Sequence, residues 1–551
     1  MRIARFLPFL NWPRLSRELL AGELQAGLTV GLMVIPQGVA YAALAGMPLI
    51  TGIYASLLPA LIAVLFSSSV RLSVGPTALS CLLISASLAG LADPGSGDWV
   101  NLAIWLALMS GGLQVFLGAI RFGWLLNIVT APVLMAFTQA AAVLIIGSQL
   151  RDLVGIGELR SLGSALQQWD HSAAAFGLGA LVTLALSRHW KPAFPTVLVV
   201  VLASAALSLW YGFAERGGRV VGFLPQGMPV FQMPHWPGLA VLGELLVPAF
   251  VITAISFLET AASAKVDNAQ RGTGWDQDQD LIGQGLSKLA AGFSGAFPTS
   301  SSFSRSALNL YAGARSGWAT VFSVVVVGLA LQWFLPILYH VPKAVLAAIV
   351  LVAVVGLIRP REFISLWRVS RAESVIAFVT FAVTVIAAPD LYWGVLVGVI
   401  LALSHFMYWR MHPRIIEVGL HADGRLRGRK EWNLPAIHTQ TYIVRMDAAL
   451  DFGSAAALEH AISDHLALAP HTRNVVLLAS GINRIDATGV VVFSRLRRQL
   501  AQQRRVLMIV GLKLPVQRAI ESAGDLSEGP YFSVVAKESE AIDMIKYVAE
   551  S

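Results

Sequence analysis

Apolar runs near the roughly 20 residues that a bilayer requires recur from Leu24 to about residue 410, for example at 99–120, 124–146, 318–338 and 391–408. A chain built from such runs has lipid as its main solvent. Its bulk agrees: 56% of residues are hydrophobic, 13% are charged and the mean hydropathy is +0.67, too apolar for a water-soluble globule. About fourteen hydrophobic elements are expected, at 24–46, 49–67, 74–90, 100–120, 124–147, 173–187, 196–211, 240–264, 279–296, 302–313, 317–338, 342–358, 371–388 and 391–409. The opening "MRIARFLPFLNWPRLSREL" carries prolines and charges instead of one apolar core, so no cleavable signal peptide is expected.

The basic residues test this count, because Lys and Arg collect on the cytoplasmic side. Arg2, Arg5, Arg14 and Arg17 lie in the N-terminal arm, and the even-numbered connections hold Arg71, Arg121, Arg188, Lys191, Lys265, Arg271, Arg315, Arg359, Arg361, Arg368 and Arg371. The odd-numbered connections hold Arg151, Arg160, Arg216, Arg219 and Lys343. An even number of crossings with both termini in the cytoplasm fits. The net charge of +8 belongs to this membrane part, since acids and bases roughly balance after Trp432, and this argues against nucleic-acid binding.

Beyond Tyr408 the composition changes. The basic, Gly-punctuated stretch 411–431 reads as a linker, and 432–551 as a cytoplasmic α/β domain. There "TYIVRMDAAL", "NVVLLAS" and "VLMIVGL" look like strands, and "SAAALEHAISDHLAL" and "GVVVFSRLRRQLAQQRR" like amphipathic helices. The basic face of the second helix lies either in water or near anionic lipid. The expected order is an N-terminal arm (1–19), a transmembrane domain (20–410), the linker and the soluble domain.

Two membrane elements are interrupted in the same way. The third opens with "SVGPTALS" and the tenth with "PTSSSFSRS", each placing Pro or Gly with Ser or Thr where an apolar helix should be under way. Three stands to seven as ten stands to fourteen, which suits a seven-plus-seven inverted repeat with its site at the two breaks. The half-helices would then point their N-termini at one another, and free N–H groups with positive dipole ends make an anion site. Ser300, Ser301 and Ser302 are N-cap candidates for the tenth element, and Arg305 falls in its first turns. Arg305 either adds its field to the attraction for an anion or neutralises an acidic neighbour. Such a neighbour exists in the eighth element, where Ser256, Glu259 and Ser263 share a helical face. Glu259 either binds and releases a proton during transport or forms a permanent pair with Arg305.

Other chemistry is sparse. There is no Gly-x4-Gly-Lys-Ser/Thr loop for ATP and no HExxH zinc signature; His189, His235, His340 and His405 are scattered, and Cys81 is a lone cysteine. Neither a cofactor nor a metal is expected, and the chain does not read as an enzyme.

The stretches "AGLTVGLMVIPQGVAYAALAGMPLITGIYASLLPAL", "SVGPTAL" and "LIGQGLSKLAAGFSGAFPTSSSFSRSALN" closely resemble the sulfate permease family of anion transporters, and the C-terminal part resembles its STAS domain. The likeness runs from about Leu19 almost to the last residue. It implies an α-helical polytopic membrane protein, usually dimeric, whose fourteen transmembrane elements divide into a core (one to four, eight to eleven) and a gate (five to seven, twelve to fourteen), followed by a cytoplasmic STAS domain. It also implies a substrate site between elements one, three, eight and ten. The family's anion-contacting positions fall on Gln37, Tyr41, Thr77, Ala78, Phe303, Ser304 and Arg305; Tyr41, Phe303 and Thr77 also have plain structural readings, the first two as packing aromatics and Thr77 as a helix-opening residue. Sodium-coupled bicarbonate members tend to carry Asp at the Glu259 position and lack the arginine. The chain therefore resembles proton-coupled or exchanging carriers of sulfate and related anions, while dicarboxylate transport and an uncoupled anion channel stay open. A multi-pass location in a plasma membrane, a bacterial inner membrane, goes with this. In "RIDATGV", Thr488 occupies the position phosphorylated in related antagonists; alternatively Asp486 and Thr488 cap the following helix.

Overall fold

The computed structural model describes residues 7–155, 170–190 and 196–550. Arg2, Arg5, Arg160 and Lys191, used above for orientation, lie outside the described residues. The membrane part begins with helix α1 (Arg17–Leu44), capped by the Ser16 side chain, which accepts from Leu19 N; the helix thus starts inside the expected N-terminal arm. There follow α2 (Thr51–Tyr54), α3 (Leu58–Phe66), strand β1 (Val74–Gly75), α4 (Ala78–Leu88), α5 (Gly97–Ala119), α6 (Ala131–Leu153), α7 (His171–Trp190) and α8 (Thr196–Tyr211). The second half is α9 (Leu239–Arg271), α10 (Gln277–Phe293), β2 (Ser300–Ser301), α11 (Phe303–Tyr311), α12 (Trp318–Trp333), α13 (Leu335–Leu338), α14 (Lys343–Val355), α15 (Pro360–Val369), α16 (Arg371–Ile386) and α17 (Tyr392–Met411).

The expected fourteen elements map onto these in order. α2 with α3, β1 with α4, β2 with α11, and α12 with α13 each make one element. One helix was not expected: α15 lies in the connection read as a basic loop. Its Phe363 meets Phe381 of α16 edge to face at 6.0 Å, while Arg359, Arg361 and Arg368 supply the charge that hid its apolar side.

The inverted repeat appears in the packing. α1 packs on α12 and α9 on α5, the same pairing displaced by seven elements; α6 on α16 and α14 on α7 form a second such couple. Small residues permit a close crossing between α5 and α10. A Cβ on Gly111 would stand 2.8 Å from the Gly285 carbonyl oxygen, and one on Gly285 would stand 2.7 Å from that of Gly111. Backbone touches backbone there, as small-residue helix contacts in lipid require. At one end of this core, buried Asp280 accepts from Ser69 N at 3.0 Å, Ser69 Oγ at 2.6 Å, Ser68 Oγ at 2.9 Å and Trp275 Nε1 at 2.7 Å. Four donors share its charge, which is what keeps a buried carboxylate tolerable.

The soluble domain is a second compact unit with its own core. Six strands run in the order β4 (Leu426–Gly428), β3 (Ile415–Leu420), β5 (Thr441–Met446), β6 (Asn474–Leu478), β7 (Val506–Val510) and β8 (Phe532–Val535). The first two pairings are antiparallel and the rest parallel, with Thr441 opposite Asn474 and Asn474 opposite Val506. Helices α18 (Ala455–Leu468), α19 (Ala487–Gln502), α20 (Leu514–Ser522) and α21 (Glu538–Glu550) complete it. Side chains alternate between faces: Tyr442, Val444 and Met446 join the core with Leu458 and Phe493, whereas Ile443 and Val476 join Val418 on the other side. The stretch 411–431 is thus not a linker. It holds β3 and β4, and Ile415 pairs with Met446, so the sheet begins before residue 432.

Asp486 is the N-cap of α19: its carboxylate accepts from Gly489 N at 2.8 Å and from Phe452 N at 3.0 Å. The Gly489 bond foremost holds this carboxyl below the usual aspartate range. Thr488 is exposed in the first turn and makes no cap, so capping falls to Asp486 alone. A depressed folded-state pKa gives stability that is present above the unfolded value of about 3.9 and is lost as pH falls through the folded value. Asp486→Ala should cost about 1 kcal/mol near neutral pH. Hydrogen exchange of 474–510 in the full chain should show the cost, and show it shrinking in acid.

Candidate functional site

Both interrupted elements change from strand to helix at one place. β1 pairs antiparallel with β2, Val74 opposite Ser301 and Gly75 opposite Ser300. Ser302 N extends the pairing by donating to Ser73 O at 3.0 Å. Each strand then turns into a helix. Thr77 caps α4, its hydroxyl accepting from Ser80 N, and Ser302 caps α11, accepting from Arg305 N. Of the three candidate serines, then, Ser302 is the cap, because Ser300 and Ser301 are spent in the strand. Antiparallel strands feeding two helices bring both N-termini to one neighbourhood, where unsatisfied N–H groups gather. Nonhelical backbone at this depth is tolerable because it is enclosed by protein.

Arg305 fastens the crossing. Its side chain is 1% exposed; Nη1 donates to Pro76 O at 2.8 Å and Nε to Ser73 Oγ at 3.4 Å, both on the opposite repeat. Nη2 has no hydrogen-bond partner. The guanidinium is thus tied to the opposite repeat through Nη1 and Nε, and Nη2 is left over. Among the described residues no ion pair joins Arg305 to Glu259, so the permanent pair weighed from the sequence is not formed. Half-buried Glu259 instead has Oε2 3.2 Å from Thr77 Oγ1, the capping hydroxyl of α4.

The other expected residues sit around this crossing. Gln37 and Tyr41, just beyond Pro36 in α1, are each 6% exposed, and Gln37 Oε1 lacks a partner. Ala78 is the first residue of α4 and is buried. Phe303 and Ser304 open α11 and are exposed, Phe303 by 54%, so Phe303 is not a core aromatic. Tyr41, Cys81, Glu259 and Arg305, from elements one, three, eight and ten, lie within electrostatic reach of one another. Buried Ser301 Oγ is a further hydroxyl without a partner.

One participant was overlooked. Lys288 of α10 is fully buried, and its ammonium donates to Gln114 Oε1 at 2.9 Å and to Ser256 Oγ at 2.6 Å. Ser256 lies one turn before Glu259. A lysine in the middle of an apolar element was signal enough to single it out.

An inverted repeat whose interrupted elements meet beside a carboxylate and a half-satisfied arginine defines a multi-pass membrane transporter. Residues 20–380 match the sulfate permease family and residues 434–538 the STAS domain. The chain belongs to the sulfate permease family and carries a C-terminal STAS domain. It is 30% identical over 529 residues to the chloroplastic sulfate transporter 4.1 of Arabidopsis thaliana, covering 90% of this chain and 76% of that one. It is 28% identical to a probable sulfate transporter of Mycobacterium tuberculosis over 93% of both chains. Among solved structures, the murine solute carrier 26 family member A9 anion transporter in its inward-facing state superposes with a TM-score of 0.87 at 20% identity, over 99% of this chain and 95% of that one. The transmembrane domain of a cyanobacterial bicarbonate transporter gives 0.59 at 20% identity, over 71% of this chain and 98% of that one.

The crossing makes a stability prediction. Ser306 Oγ accepts from Ser73 N at 3.0 Å, so Ser306→Ala strands a buried N–H and should cost roughly 1–3 kcal/mol. Ser73→Ala removes only the long bond from Arg305 and should cost less than about 1 kcal/mol. Thermal unfolding of the purified chain in detergent should rank them in that order.

Proposed function

We propose that this chain is a secondary active transporter of small inorganic anions, with sulfate as substrate, driven by proton symport or by anion exchange. The observation that carries the reading is the unpartnered Nη2 of Arg305 near the N-termini of α4 and α11: a buried donor, with its charge uncancelled at contact distance, beside two positive dipole ends. Gln37, Tyr41, Thr77, Ala78, Phe303 and Ser304 would line the same pocket. The names borne by the relatives support sulfate.

Glu259 supplies the coupling. Ionised, it repels an arriving anion; protonated, it leaves the arginine and the dipoles unopposed, so proton and anion occupancy favour each other. Its contact with Thr77 puts this change at the cap of α4. The core, elements one to four and eight to eleven, would carry the occupied site past the gate. The protein would work as a homodimer in a plasma membrane, with both termini in the cytoplasm.

Sulfate uptake into proteoliposomes, with and without an imposed pH gradient, tests this. The wild type should accumulate sulfate faster under an inward proton gradient. Glu259→Gln should keep binding and lose the response to the gradient, and Arg305→Ala should weaken sulfate affinity by about 10- to 100-fold, the range for losing a charge-assisted hydrogen bond. Sulfate flux indifferent to pH and to counter-anion would mean a channel. Transport of bicarbonate or a dicarboxylate, with sulfate excluded, would overturn the substrate assignment.

A further inference from the structure

One buried cation of the membrane part is left idle by the transport reading. Lys288 is completely buried, and its two hydrogen-bond partners, Gln114 and Ser256, are both neutral. The fully buried acids of this part, among the described residues, are differently placed. Asp267 meets Arg71, Asp280 has four donors, and Glu23 accepts from Arg315 N, Ser316 Oγ and Ala319 N at the start of α12. A buried ammonium without a counter-ion is expensive, and two neutral acceptors offset only part of that cost.

The charges around Lys288 are few. It packs against α5, α3 and α9. α5 contributes Asp98 alone, at its far end, and neither α2 nor α3 contributes any. α9 contributes Glu244, Glu259, Lys265, Asp267 and Arg271. From Ser256, which holds the ammonium, Glu259 is three residues away, roughly 4.5 Å of helix rise; Lys265 and Glu244 are about 13 and 18 Å away along the axis. Glu259 is therefore the charge that Lys288 acts on, and the two interact through the protein interior. Arg305 acts on the same carboxylate.

The cluster thus holds two cations and one acid. With Glu259 ionised it is one unit positive; with Glu259 protonated it is two units positive. A monovalent anion matches the first state, a divalent oxyanion the second. Resting on the proton-coupled reading above, we propose that Lys288 sets the valence of the anion this site accepts, completing the double positive charge that a divalent oxyanion meets when Glu259 carries its proton. Lys288 does this from behind α9, without touching substrate, so it is a positioning charge and not part of the binding surface.

The test compares initial uptake of sulfate and of nitrate by the full chain in proteoliposomes under one fixed inward proton gradient. Two substitutions cancel the charge by different routes: Lys288→Met deletes it, and Gln114→Glu keeps the lysine but pairs it, which also protects the fold. Both should raise the sulfate KM about tenfold and the nitrate KM only about threefold, because the interaction energy of a unit charge with a divalent ion is twice that with a monovalent one, so the fold-change is squared. Lys288→Arg should retain the wild-type ratio. A structural lysine would lower the maximal rate for both anions alike; an unchanged sulfate-to-nitrate ratio in Gln114→Glu overturns the proposal even where Lys288→Met fails to fold. Wild-type protein that ignores the proton gradient would remove the transport reading itself, whereas gradient-driven sulfate uptake with ratios unmoved by both variants removes this inference alone.

Discussion

The membrane domain depends on a two-residue strand pairing. Val74 and Gly75 against Ser301 and Ser300 is a very small sheet, yet it fixes where two half-helices begin. Either element alone would leave unsatisfied backbone groups at a depth where lipid offers no partner. Paired, each supplies the hydrogen bonds the other lacks, and the remaining donors at the helix starts converge. Arg305 locks this by reaching from one repeat to the Pro76 carbonyl of the other. The same residue that stiffens the crossing keeps one nitrogen of its guanidinium in reserve.

Charge in the core is handled in two ways. Where rigidity is needed, acids are saturated: Asp280 and Glu23 each accept several hydrogen bonds and close off connections between elements. Around the crossing the groups are left short of partners. The Glu259 carboxylate accepts from Thr77, the hydrogen-bond partners of Lys288 are neutral, and Gln37 and Ser301 each keep an unmatched oxygen. Incomplete satisfaction is unfavourable for folding, and at the crossing a solute would repay it.

Much of this could be read from the chain because its signals are local. Hydrophobic runs mark the spans, and Pro, Gly and Ser in "SVGPTALS" and "PTSSSFSRS" interrupt a helix whatever surrounds them. The corresponding positions of those breaks gave the repeat. What escaped was non-local or masked by charge. Lys288 finds its partners 32 and 174 residues away, so no window of sequence contains its environment. Strand β4 is short, basic and edge-placed, which makes the stretch look like a tether; only the pairing of β3 with β4 and β5 reveals it as sheet. Helix α15 was hidden by its arginines, and Thr488 lost the capping role because Asp486, one residue before the helix, already filled it.

The hold of Arg305 on the far repeat bears on what moves. A solute cradle assembled from two separately travelling pieces would loosen at each stroke and would have to be rebuilt on the other side. Here a guanidinium from one half grips the peptide chain of the other, and the backbones of α5 and α10 touch behind it. The cradle is therefore a single cartridge, and a passenger seated in it would see the same walls at both ends of the journey.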